Sequence, residues 1–174
     1  MQRILVIGSP GAGKSTASRR VARMLDLPLV HLDRHYWQAG WEPTSPEQWR
    51  EKIRQLVAAP RWVIDGNYTS TLDLRLASAD TVIYLDFSTA LCLTRVLRRT
   101  LRNLGRERAD ELPPGCPERL DPALLRYVIG FRRDVRMKIL DHLAGFSGTT
   151  YRFASPGELE RFLTALGREN RPAR

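Results

Sequence analysis

The segment Gly8-Ser9-Pro10-Gly11-Ala12-Gly13-Lys14-Ser15 follows the apolar run Ile4-Leu5-Val6-Ile7, and this junction limits the fold more than any other stretch. Glycines at these positions let the backbone curl so that successive N–H groups point at one anion, while a helix beginning at Lys14 adds its unpaired N-terminal donors. A complete phosphate-binding pattern between a strand and a helix predicts that the chain holds a nucleoside triphosphate. Lys14 is placed to neutralise the terminal phosphates and Ser15 to hold magnesium, with Thr16 next into the helix, so the nucleotide contacts are expected over Gly8, Ser9, Pro10, Gly11, Ala12, Gly13, Lys14, Ser15 and Thr16. A dinucleotide fingerprint fits poorly: the glycines fall at 8, 11 and 13, and a lysine occupies the phosphate end.

With 174 residues the chain has room for one sizeable core and is expected to form a single domain over residues 1–174. No stretch approaches the roughly 18 uninterrupted apolar residues of a membrane span, and Met1-Gln2-Arg3 leads directly into a strand, so a cytoplasmic location is expected. Cys92 falls in a helical pattern and Cys116 in a proline-rich loop, which indicates neither a disulfide framework nor a zinc cluster. The net charge of +9 suits nucleic acid or membrane, but it equally draws in a polyanionic nucleotide. Much of it lies between Arg95 and Lys138, which favours local handling of phosphate over duplex binding. Nucleic-acid contact is therefore expected to be secondary, no membrane contact is expected, and monomer and homodimer both stay open.

Periodicity divides the chain into alternating strands and helices. Strands are predicted over Arg3–Ile7, Leu29–Leu32 (ending at Asp33), Trp62–Ile64, Thr81–Leu85 and Thr149–Phe153. Helices are predicted from Lys14 to about Leu25, from a Ser45-Pro46 start to Ala59, from about Thr89 to Leu104, from Asp121 to about Leu143 with Gly130 as a point of bending, and from Ser155-Pro156 to near Gly167. A loop rich in Pro and Gly spans Gly105 to Pro117, and 168–174 reads as a flexible tail. Five apolar runs separated by helices predict an α/β fold of three layers, a five-stranded parallel sheet covered on both faces. The ligand belongs beyond the carboxyl ends of the strands, where the phosphate loop, Asp33, Asp65 and Asp86 all fall.

The ordered set His31-Leu32-Asp33, Tyr36-Trp37, Gly40-Trp41, Trp62-Val63-Ile64-Asp65-Gly66-Asn67-Tyr68, Ala79-Asp80 and Leu85-Asp86 resembles the P-loop kinases of the nucleoside monophosphate kinase type. It is more closely similar to the bacterial topology modulation, or FlaR-like, proteins. The likeness continues through the arginine-rich helix and Gly115-Cys116-Pro117-Glu118. It implies the P-loop NTPase fold with a helical lid at about 100–135, and transfer of a phosphoryl group from ATP, with Mg2+, to a small acceptor, a nucleotide or nucleoside being favoured. The acid after the second strand of such kinases meets the acceptor or the magnesium shell, which gives Asp33 the task of orienting a hydroxyl or taking its proton. The alternative is a strand-end cap.

The same resemblance implies that Asp65 serves the magnesium shell through water, that Gly66 allows close approach and that Asn67 reads the acceptor. This chain lacks the proline-arginine pair found there in adenylate kinase relatives, with Tyr68-Thr69 in its place. Arg95 and Arg99 match the arginines before the lid, and Arg132, Arg133 and Arg136 those after it, so Lys14, Asp33 and these arginines form the expected catalytic set. Spacings of four, three and four put Arg95, Arg99, Arg102 and Arg106 on one helical face. Tyr36 and Trp37 lie near the expected acceptor pocket with Asp33, Asp65, Gly66 and Asn67. His31, Asp33 and His35 fall short of a defined zinc set. Two other readings stay open on sequence alone: a nucleotide-dependent nucleic-acid-binding or regulatory protein, and a nucleotide-binding protein without turnover.

Overall fold

A computed structural model describes residues 1–170. In chain order its elements are β1 (Arg3–Gly8), α1 (Lys14–Leu25), β2 (Leu29–His31), α2 (Leu32–Tyr36), β3 (Trp37–Gln38), β4 (Glu42–Pro43), α3 (Pro46–Val57), β5 (Trp62–Asp65), α4 (Leu72–Ser78), β6 (Thr81–Leu85), α5 (Thr89–Asn103), α6 (Pro122–Asp134), α7 (Arg136–Ala144), β7 (Thr149–Phe153) and α8 (Pro156–Glu169). None of these helices is long and apolar enough to cross a membrane.

The main sheet is parallel throughout, in the order β2-β5-β1-β6-β7. Its central strand is the apolar run before the phosphate loop, and Ile4, Leu5, Val6 and Ile7 are all fully buried because both faces are covered. Alternate residues feed two cores. Ile4, Val6, Val63, Ile83 and Leu85 pack with α1, α5, α6 and α8, whereas Leu5, Ile7, Ile64, Val82 and Tyr84 pack with α3, α4 and α7. Register pairs Val6 and His31 with Asp65, and Gly8 with Leu85, so the strand ends that carry the polar residues come into line at one rim.

Side chains at the helix starts act as the sequence pattern requires. Ser45 accepts from the Gln48 N–H (3.3 Å), Ser88 from Leu91 (3.4 Å), Asp121 from Ala123 (2.8 Å) and Ser155 from Glu158 (3.3 Å). Glu158 closes a reciprocal cap by accepting from the Ala154 N–H at 2.8 Å. At α1 the N-cap is Gly13 in the left-handed region (φ 95°), with no side-chain cap. The donors at the start of α1 are thereby left for a ligand.

Four local features depart from the sequence expectation. The second strand stops at His31, and Leu32 to Tyr36 turn into the short α2, followed by the antiparallel β3–β4 pair. Helix α4 was not expected, being seven residues long with the charged Arg75 on its buried side. The long C-terminal helix bends at Val135 (φ −113°) rather than at Gly130. Hydrogen bonds from Val135 to Phe131 and from Ile139 to Val135 continue across the bend, which leaves Arg136 reaching Asp86 on the neighbouring strand end. Finally, α8 runs past Gly167 to Glu169 with Asn170 as its cap, while 171–174 of the expected tail lie outside the described residues.

Arg75 is fully buried and, among the described residues, has no carboxylate partner. Its guanidinium donates to the carbonyls of Gly66 (2.9 Å), Tyr68 (2.8 Å), Thr71 (3.3 Å) and Asn67. Burial pulls its pKa down to about 9, which still leaves it a cation at neutral pH. The loop that follows β5 is folded around this one side chain. Arg75→Met retains length but strands those carbonyls, and the expected loss of stability is about 3 kcal/mol, read from urea unfolding. An unchanged unfolding midpoint would show that the loop does not depend on it.

Candidate functional site

The rim of the sheet opens into a cleft of about 760 Å³ that runs from the phosphate loop to the loop after β5 and across to α8. Its floor is residues 10–17. Gly11 is obligatory there, because a Cβ would stand 2.2 Å from the Cys92 carbonyl oxygen of α5. Lys14 is tucked under the loop, with Nζ donating to the carbonyls of Gly8 (2.9 Å) and Ser9 (3.2 Å). Burial lowers its pKa from the ordinary lysine value, opposed by the carboxylates of Asp33 and Asp65.

Asn67 fixes the start of the phosphate loop. Its Oδ1 accepts from the Gly8 N–H at 2.9 Å and its Nδ2 donates to the Gly8 carbonyl at 2.6 Å. Both ends of the amide are therefore engaged with backbone. Gly66, at φ 131°, lets this loop lie against Leu32, where a Cβ would meet the Leu32 Cβ at 2.8 Å.

Two carboxylates enter the cleft in different states. Asp65 is buried; its Oδ1 lies 2.9 Å from His31 Nδ1, and its Oδ2 has no hydrogen-bond partner among the described residues. A buried carboxylate oxygen without a donor, in the same cleft as the Ser15 hydroxyl, is the donor chemistry that magnesium takes. Asp33 instead stands exposed at the start of α2, and its Oδ1 accepts from the Tyr68 hydroxyl at 2.6 Å. Burial, then the adjacent Asp33 carboxylate, push the Tyr68 phenol far above its ordinary pKa, so it remains a donor. Tyr68 itself sits in the left-handed region (φ 37°), uncommon for an aromatic residue, and Arg75 holds its carbonyl there.

The cations around the cleft are paired. Arg95 reaches the Ala12 carbonyl (3.4 Å) and lies over the Phe87 ring. Arg99 (3.2 Å) and Arg108 (2.8 Å) converge on the buried Glu118, which also accepts from Thr100 at 2.9 Å. Glu111 engages both Arg108 and Arg19, and Arg20 pairs with Glu160 on α8 through two hydrogen bonds (2.5 and 2.7 Å). The loop between α5 and α6 that carries Arg108, Glu111 and Glu118 is seated on the β3–β4 region: Gly40 donates to Gly115 (2.8 Å), and Trp41 Nε1 to Pro117 (3.0 Å).

Of the residues singled out in the sequence, Pro10 to Thr16, Asp33, Asp65, Gly66, Asn67, Arg95 and Arg99 share the cleft, with Gly8 and Ser9 beneath it as the anchors of Lys14. Tyr36 and Trp37 do not line it. They belong to an aromatic cluster in which Tyr36 meets Trp37, Trp49 and Tyr68 at centroid distances of 5.0, 5.1 and 4.6 Å. Arg132 and Arg133 are exposed on α6, Arg133 paired with Asp134, and Arg136 is held by Asp86 at 3.0 Å. None of these three arginines lines the cleft, and the bend at Val135 puts Arg136 at the rim of β6. Asp86 is likewise drawn away by Arg136 and Arg152. No three His, Cys, Asp or Glu side chains gather as a metal cluster among the described residues.

Sequence reasoning missed Arg20, Tyr68, Arg108, Glu111 and Tyr127 as cleft residues. Tyr68 was within reach, since it completes the Asp-Gly-Asn-Tyr run. Arg108 and Glu111 lie in an aperiodic loop, where spacing carries no information about direction.

No family model matches the chain. A shikimate kinase of Rhodococcus jostii (strain RHA1) is 33% identical over 115 residues, which span 58% of this chain and 68% of that protein. Among solved structures, shikimate kinase from Acinetobacter baumannii in complex with shikimate superposes with a TM-score of 0.54 at 18% identity, covering 99% of this chain and 96% of that one. A gluconokinase from Sinorhizobium meliloti 1021 gives a TM-score of 0.53 at 19% identity, covering 97% and 93%. At these identities the structural likeness establishes the fold.

The two-way bond between Asn67 and Gly8 generates a specific expectation. Asn67→Ala should weaken Mg-ATP binding about thirtyfold in a folded protein, because two hydrogen bonds of about 1 kcal/mol each leave the loop. Titration with Mg-ATP measures it. Unaltered ATP affinity with a defect confined to the acceptor would instead return Asn67 to acceptor recognition.

Proposed function

The chain belongs to the shikimate-kinase-related P-loop kinases of the nucleoside monophosphate kinase superfamily, and from that premise we propose how its cleft transfers a phosphoryl group from ATP to a small acceptor. The observation that carries the reading is the meeting of Lys14 with Asp33 and its Tyr68 partner in one cleft. A nucleotide-binding protein without turnover has no use for an exposed, oriented carboxylate across from the phosphate loop.

The open donors of the loop and of α1 take the phosphates, and Lys14 exchanges its two carbonyl contacts for phosphate oxygens. Ser15 and Asp65 would hold Mg2+, which would screen the phosphate charge. Asp33 orients an acceptor hydroxyl. Its Oδ1 is fixed by Tyr68, leaving Oδ2 to receive the hydroxyl proton. The acceptor oxygen forms a bond to the γ-phosphorus as the bond from that phosphorus to the β–γ bridging oxygen breaks, and the electron pair departs with ADP. Arg95, Arg99 and Arg108 supply positive charge at the transferring group, the latter two by loosening from Glu118 and Glu111. Segment 100–135 acts as the lid. A nucleotide or nucleoside acceptor is the class favoured by the kinase resemblance, while the relatives named above are kinases of shikimate and gluconate type.

Two substitutions test the assignment. Lys14→Ala should reduce turnover by about a hundredfold or more, as loss of a phosphate-stabilising charge does. Asp33→Asn should lower kcat by about a hundredfold while Mg-ATP affinity stays within about twofold, the behaviour of a residue acting on the acceptor alone. Full turnover in Asp33→Asn would confine that residue to a structural cap.

A further inference from the structure

We propose that His31 is the positioning residue for the metal-binding carboxylate: by donating from Nδ1 to Asp65 Oδ1, it leaves Oδ2 as the oxygen offered to Mg2+. The proposal rests on the phosphoryl-transfer reading above, in which Asp65 is a metal ligand. It gives a task to a histidine that the transfer step does not itself use.

The ends of two strands set the pair up. His31 is the last residue of β2 and Asp65 the last of β5, and the parallel register makes them direct neighbours. Side chains at paired positions of adjacent strands stand on the same face of the sheet, so the backbone puts the ring beside the carboxylate. The two side chains meet at 2.9 Å, with exposures of only 9% for His31 and 6% for Asp65. A carboxylate only accepts, so the ring nitrogen that faces it carries the proton. Shielding from water makes that bond stronger than its counterpart on the surface.

Among the described residues, His31 is the one hydrogen-bond partner of this carboxylate, and Oδ2 has none. A carboxylate held by neither oxygen can rotate about Cβ–Cγ; held by one, it presents the other in a fixed direction. Asp65 lines the cleft together with Lys14 and Ser15, whereas His31 does not. The ring therefore stands behind the acid and acts through it, touching neither nucleotide nor acceptor. Asp33, two residues further on, is engaged separately by the Tyr68 hydroxyl at 2.6 Å, so the end of β2 leads into the acceptor acid and also carries the support of the metal acid. Groups that ligate a metal are commonly oriented by such hydrogen-bonded neighbours, whose loss costs about 10–100-fold in metal affinity.

Mn2+ serves as the probe, because the free ion can be followed by electron paramagnetic resonance. The full-length protein saturated with ADP is titrated with Mn2+, and ADP affinity is measured separately in EDTA. His31→Phe keeps a ring but removes the donor, and is expected to weaken Mn2+ binding about tenfold, with ADP affinity in EDTA within about twofold of the parent. His31→Asn, whose amide nitrogen falls where Nδ1 stands, is expected to retain Mn2+ affinity within about threefold. If circular dichroism shows His31→Phe unfolded, His31→Gln, with its amide at the Nε2 position, takes its place with the same expectation. Unchanged Mn2+ affinity in the donor-less variant, His31→Asn as weak as that variant, or an equal loss of ADP affinity in EDTA overturns the proposal. Asp65→Asn separates this outcome from the reading beneath it. Intact Mn2+ binding in Asp65→Asn removes the metal assignment of Asp65 and the proposal with it, whereas a loss there without one in His31→Phe removes the role of His31 alone.

Discussion

The amide of Asn67 joined in both directions to Gly8 is the contact on which the rest of the site depends, because it ties the strand that ends in Asp65 to the strand that leads into the phosphate loop. It is local in space and distant in sequence. Asn67 in turn is held by Arg75, whose buried guanidinium gathers the carbonyls of Gly66, Asn67 and Tyr68. One cation therefore sets the loop after β5, and that loop sets Tyr68 against Asp33 and Gly8 for the curl that follows. Apolar packing alone does not supply this precision, since a hydrophobic core fixes layers but not the direction of a carbonyl.

A net charge of +9 suggests an open positive surface, but the cleft is organised differently. Arg20, Arg99 and Arg108 each have a carboxylate partner, and Glu118 is buried at the point where two of those pairs meet. Such pairs are poor sources of stability, because desolvation offsets most of the Coulomb attraction. What they fix is position, holding the guanidinium groups at the wall of the cleft that carries the phosphate loop. The loop between α5 and α6 is placed by the same means, with hydrogen bonds to the β3–β4 region supplementing its ion pairs.

What could be read from the sequence follows from where each signal is periodic. The Ile4–Ile7 run, the serine and aspartate helix starts and the spacing of Arg95 from Arg99 report direction as well as identity, and the sheet, the caps and those two arginines stand where the pattern puts them. Arg132, Arg133 and Arg136 carry the same residue type, but the bend at Val135 lies between them, and spacing across a bend no longer defines a face. Helix α4 escaped notice because a charged residue occupies its buried side, the reverse of the usual amphipathic signal. Tyr36 and Trp37 have the composition of a binding surface, yet they meet each other edge to face, with Tyr36 also against Trp49 and Tyr68 and Trp37 against Trp41. Arg108 and Glu111 come together with Arg19 across the cleft, a pairing between distant segments that one sequence does not encode locally.

The central claim is that the charge geometry of this cleft directs the γ-phosphoryl group to an acceptor rather than to water. The ratio of phosphorylated acceptor to ADP, followed by phosphorus NMR during turnover with a saturating acceptor, measures that partition directly. A ratio near unity is expected. ADP accumulating with no phosphorylated product, at a rate indifferent to acceptor and raised by nucleic acid, would contradict it.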